Sequence, residues 1–142
     1  MINYEQDFYG WTQEQAALLR AGRLSDLDIT NLIEEIETMG RSEKRALESR
    51  LSVLLCHMLK WHYQPSRRGN SWNYTITEQR LKLKKVLSDN PGLKPELQKI
   101  ITDAYEYAVL KACHETGIRF DIFPVECPWT YEQLGDKDYY PD

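Results

Sequence analysis

The chain has 142 residues, 42% hydrophobic and 28% charged, with a formal net charge of −4; that length suits one domain, here 1–142, able to bury a core of its own, and the composition is neither disordered nor membrane-like. No apolar run approaches the ~20 residues of a membrane span, and the acidic start MINYEQDFYG lacks the basic and apolar stretches of a secretory signal, so a cytoplasmic protein is expected. Cys56, Cys113 and Cys127 are odd in number, widely spaced and form no C-x-x-C pair, which reads as three free thiols.

The predicted elements are almost all helices. Thr12 with Gln15 has the form of a capping box, AALL follows, and Gly22 stands where a left-handed cap is needed, giving a first helix near 13–21. Asp28 can cap a second, whose apolar positions Ile29, Leu32, Ile33, Ile36 and Met39 share one stripe and are expected to face the core; Gly40 is expected to end or bend it. A third helix, about 42–61, carries the seam Leu47, Leu51, Leu54, Met58 and Trp61, the spacing of a helix packed at a shallow angle in a bundle. Pro65 and Gly69 mark a loop after it.

Ser71 can cap a fourth helix with Trp72, Ile76, Leu83, Val86 and Leu87 inside, stopped by Asn90-Pro-Gly. The fifth runs from near Pro95 to Thr116, with Gly117 as its stop and Leu97, Ile101, Ala104, Ala108 and Ala112 as its stripe. Beyond it, Pro124, Pro128 and Pro141 forbid a long helix, while Thr130 and Gln133 can box a single turn. The segment 118–142 also holds Phe120, Ile122, Phe123, Trp129, Tyr131, Leu134, Tyr139 and Tyr140, too many large apolar groups for a solvated end. An ordered tail wrapping the bundle is expected.

Three segments, DFYGWTQEQAALLRAGR, LIEEIETMGRSEKRALESRLSVLLCHMLKWHYQP and FPVECPWTYEQL, resemble, in order and over nearly the whole chain, the bacterial and largely cyanobacterial family called domain of unknown function 29. The resemblance implies a small, mainly helical, cytoplasmic bacterial protein and supplies no catalytic residue.

Charge is segregated. Residues 1–40 hold eight acids against two bases, 60–88 seven bases against one acid, and 115–142 seven acids against two bases. Acidic ends folding against a basic middle is the favoured reading over a basic face offered to a polyanion. Arg67 and Arg68, in a loop between Trp61 and Trp72, pair a phosphate partner with a stacking surface. Arg80, Lys82, Lys84 and Lys85, however, fall at about 80°, 280°, 120° and 220° from Trp72, so they do not form one groove-reading face. Arg80 and Lys82 are expected to lay their stems along the rim of the core.

Catalytic chemistry finds little support. His57 and His62 lie about 140° apart on a helix, too far round to chelate one ion, and Cys113-His114-Glu115 places adjacent side chains in divergent directions. Cys56 lies opposite the third helix's seam and is expected to face outward, so Cys56-His57 is not a converging thiol and base. Glu34, Glu35 and Glu37 read as partners for Arg41, Lys44, Arg45 or Arg50. No catalytic, metal or cofactor residue is assigned and no cofactor is expected. The reading is an all-α bundle of about five helices acting as a non-enzymatic protein-binding or adaptor module, with another protein as partner, a homo-oligomer possible and no membrane association. His57, Trp61, Arg67, Arg68 and Trp72 are its candidate interaction surface. The alternatives are a nucleic-acid-associated regulator using 60–88 and a small-molecule enzyme with a pocket near His57.

Overall fold

A computed structural model describes residues 1–142. The chain is all-α, with no strand: α1 (Phe8–Arg20), α2 (Ile29–Tyr63), α3 (Asn70–Asp89), α4 (Leu97–Thr116) and the single turn α5 (Tyr131–Gly135), joined by short 3-10 turns. No helix is long and apolar enough to cross a membrane. The contacts gather into two compact units, Met1–Ser42 and Glu43–Asp142. The boundary falls inside α2, so no turn residue or composition change marks it.

In the first unit, α1 begins five residues earlier than Thr12 and Gln15 suggest. Asp7 is the cap, its carboxylate accepting from the Gly10 N–H at 2.9 Å, and Thr12 inside the helix turns its hydroxyl to the Tyr9 carbonyl. Gln15 is instead buried, its Oε1 accepting from the Asp28 N–H at 2.8 Å. Gly22 holds φ +70°, the left-handed conformation expected of it. Asp28 caps α2 as expected, accepting from the Asn31 N–H, and also accepts from Trp11 Nε1–H at 2.9 Å. Trp11 is 1% exposed and packs with Tyr4 and Phe8 in an aromatic cluster.

Gly40 neither ends nor visibly interrupts α2, which runs 35 residues without a break. A helical glycine costs only about 1 kcal/mol against alanine, and Glu, Lys, Arg, Ala and Leu around Gly40 are strong helix formers. Local propensity therefore outweighs the single glycine.

The core of the second unit is built on the part of α2 from Leu47 onward. Leu47, Leu51, Leu54, Leu55, Met58 and Leu59 are fully buried against Ile76, Leu83 and Leu87 of α3 and Ile100, Ile101, Ala104, Ala108 and Ala112 of α4. Each buried Leu or Ile contributes about 1.5–3 kcal/mol before entropy. α3 stops at Asp89 before Asn90-Pro-Gly, and Gly117 holds φ +76° after α4, both as the sequence suggests. The tail is ordered and mostly non-helical. Phe123 and Leu134 enter the core, while Trp129, Tyr131, Tyr139 and Tyr140 pack against it. Thr130 and Gln133 form the expected capping box of α5, with bonds of 3.2 and 2.9 Å. Phe120 and Ile122, expected to wrap inward, stay 65% and 54% exposed, because the chain takes a 3-10 turn there whose outer side they occupy.

Candidate interaction surface

The last turns of α2 are buried over about two-thirds of the helix circumference, from Leu54 round through Leu55 and Leu59 to Cys56 and Lys60, at 100° per residue. Cys56 is therefore not outward-facing. It is 0% exposed, and its Sγ–H donates to Glu115 Oε2 at 3.3 Å. Its angular position opposite Leu47 is as expected, but α4 covers that side as well. The same carboxylate oxygen takes Lys60 Nζ at 3.0 Å, and the ammonium lies 5.1 Å from the Trp72 ring. Burial pushes the Cys56 thiol up to about 12, reinforced by the Glu115 carboxylate, so it is no nucleophile near neutral pH. Burial also acts to raise the Glu115 carboxyl, but the bonds from Lys60 and Cys56 outweigh it and hold the group below its ordinary value.

His57 lies on the less covered side of the helix. Its Nδ1–H donates to the Val53 carbonyl at 2.8 Å, and burial pulls its pKa below the ordinary value. A cleft of about 530 Å³ beside α2 is lined by Ser49, Ser52, Val53, Tyr107 and Lys111, not by His57.

The remaining candidates separate. Arg68 folds back: Nε–H donates to the Trp61 carbonyl at 2.7 Å, the guanidinium lies 5.3 Å from the Trp61 ring, and Nη2 reaches the Pro141 carbonyl at 3.5 Å. Trp61 in turn meets Tyr140 at 4.9 Å between centroids. Trp72 is half-buried beside Lys60, whereas Arg67 is exposed. The twin arginines thus do not form one anion-facing pair.

Arg80 departs furthest from expectation. Its head, not only its stem, is buried: Nε–H donates to the Leu134 carbonyl at 2.8 Å, and Nη2 donates to Gln133 and Tyr139 carbonyls at 3.1 and 2.7 Å. The acidic tail meets the basic middle mainly through its backbone carbonyls. Lys82 and Lys85 pair locally with Glu78 and Asp89.

The apolar stripe at the start of α2 is also not core. Ile29, Ile33, Ile36 and Met39 are 54%, 51%, 61% and 61% exposed, and only Leu32 is half-buried. What faces the N-terminal residues is the polar side: Asp28 meets Trp11 and Gln15, and Glu35 accepts from the Tyr4 hydroxyl. Periodicity identifies the stripe but not what covers it. Of the neighbouring glutamates, Glu34 and Glu37 pair with Arg41, at 3.3 and 3.7 Å, on the exposed surface.

The family model described as domain of unknown function DUF29 matches residues 3–140. The chain belongs to the DUF29 family. No curated protein and no solved structure matches it. In this DUF29 chain no three His, Cys, Asp or Glu side chains converge as a metal-ligand group. A second apolar surface, with no distinguishing signal in the sequence, borders a groove of about 600 Å³ where Leu110, Phe120 and Val125 are exposed beside Glu106 and Asp121.

Proposed function

We propose that this DUF29 chain is a non-enzymatic binding module that receives a basic, amphipathic helix of another protein on the exposed apolar face at the start of α2. The observation that carries the reading is the inversion of faces on that segment. Ile29, Ile33 and Ile36, at spacings of four and three, are each at least half exposed, while polar Asp28 and Glu35 face the N-terminal residues. Spacing of this kind is what a partner helix packs against.

Charge selects the class of partner. Residues 1–42 hold eight acidic side chains against three basic ones. A second copy would bring the same sign to the contact, whereas a helix flanked by Lys or Arg brings the opposite one.

The test is a double substitution, Ile33→Asp with Ile36→Asp. Both side chains are exposed, so the melting temperature should stay within about 2 °C of the parent. A partner captured by the parent and lost from the variant should cross-link to residues 29–39 through a basic helical segment and release as salt rises. Concentration-dependent self-association of the purified protein, abolished by the same substitutions, would overturn the reading in favour of a contact between copies.

A further inference from the structure

Arg80 also borders a small pocket within the second unit. The pocket has a volume of about 140 Å³ and is lined by Thr77, Arg80, Leu81, Lys84, Gly135 and Lys137. Three of the six are cationic and none is acidic. Lys84 and Lys137 make no ion pair, and Arg80, 3% exposed, has only neutral carbonyl acceptors, leaving Nη1 without any protein partner.

A buried guanidinium stays charged, and neutral carbonyls satisfy its N–H groups without cancelling that charge. A buried ion without a counter-ion is costly. The Asp136 carboxylate acts on Arg80 through its charge, but it forms no ion pair with it, and its Oδ1 accepts from the Asp138 N–H at 2.9 Å. The Tyr140 ring lies 5.3 Å from the guanidinium and adds only its π face.

We propose that this pocket binds a phosphate-sized oxyanion, either inorganic phosphate or the terminal phosphate of a small phosphomonoester. Three cationic side chains around one pocket favour a dianion over a singly charged carboxylate. The Thr77 hydroxyl adds a neutral donor that can turn to an oxygen. The pocket is several times the ~10–15 Å³ that one water needs, so a group of five heavy atoms fits, and a bound phosphate would supply the counter-charge that Arg80 lacks and accept charge-assisted bonds from the two lysines.

The experiment uses the full chain and the Lys84→Ala, Lys137→Ala double variant, since both lysines are exposed and their removal leaves the Arg80 contacts to the tail intact. Isothermal titration with inorganic phosphate, and separately with glycerol phosphate, is run at ionic strength matched with chloride, which removes general screening as a cause. The expected result is saturable binding that is weaker by about tenfold or more in the variant. Binding of both probes identifies a site open to phosphomonoesters, and binding of inorganic phosphate alone identifies a free-ion site. Heats indistinguishable from chloride, or affinity unchanged in the variant, overturn the proposal. Tighter binding of an oligonucleotide that lacks a terminal phosphate, lost in the same variant, would overturn it in favour of a nucleic-acid backbone contact.

Discussion

Cys56 and His57 are neighbours in the chain with opposite environments, and each leads to a measurement. Cys56 sits in the core with its thiol held at about 12, so alkylating reagents near neutral pH should not modify it until the protein unfolds; rapid native-state labelling would contradict the burial. Cys56→Ala should cost about 1–2 kcal/mol, through lost sulfur contacts and the freed Glu115 oxygen, against roughly 2–5 for Leu54→Ala. His57 is half-buried, and partial desolvation favours its neutral form, with its pKa below the ordinary value. The unfolded chain then binds a proton more readily than the folded one, so stability should be level above about pH 6.5 and fall as pH drops below it. His57→Gln should flatten that fall in urea midpoints measured between pH 7.5 and 5.5, whereas an unchanged slope would place the acid sensitivity elsewhere. The environment of His57 was legible, since its place at the flank of an apolar seam suggests a hydrogen-bonded boundary residue. That of Cys56 was not, because a one-sided stripe assumes a helix covered on one side only.

Helix ends in this chain follow their local chemistry wherever backbone geometry demands a particular residue. Gly22 and Gly117 adopt the left-handed conformation, Asn90-Pro-Gly stops α3, and Thr130 with Gln133 closes a reciprocal cap. Signals that only lower a preference are less informative. Thr12 and Gln15 match a capping pattern but lie inside a helix already started by Asp7, and Gly40 is carried by its neighbours. Gly40 has an ordinary helical φ, and a Cβ built on it meets nothing within 4 Å. Gly40→Ala should therefore stabilise the protein by about 0.5–1 kcal/mol, by removing backbone freedom from the unfolded chain. A urea midpoint that rises with unchanged slope would agree; a fall would show that bare backbone at Gly40 is needed for a close approach.

At the scale of the whole molecule, composition and periodicity were enough for an all-α chain with an ordered tail, since many large apolar groups in 118–142 have to be sheltered. How the charged segments meet was hidden, because carbonyl groups carry no sequence signal and Arg80 reaches three of them. The tail is therefore bound to the second unit in two ways. Phe123 and Leu134 fill the core, while Arg80 and Tyr105 hold the tail's carbonyls, the latter through its hydroxyl to Pro124 at 2.7 Å. Ending the chain at Gly117 uncovers Leu and Ala faces of α3 and α4, a loss of more than 1 kcal/mol, and exchanges the Arg80 bonds to the tail's carbonyls for bonds to water. The truncated chain should show a urea midpoint well below that of the full chain and elute as associated species, because apolar surface is now open. Full-length Arg80→Met separates the two contributions: it removes the carbonyl contacts but keeps Phe123 and Leu134, so its midpoint should lie between the two chains, with elution unchanged. If truncation instead left the midpoint where it was and gave a clean smaller monomer, the tail would contribute no stability and its contacts would be incidental to the fold.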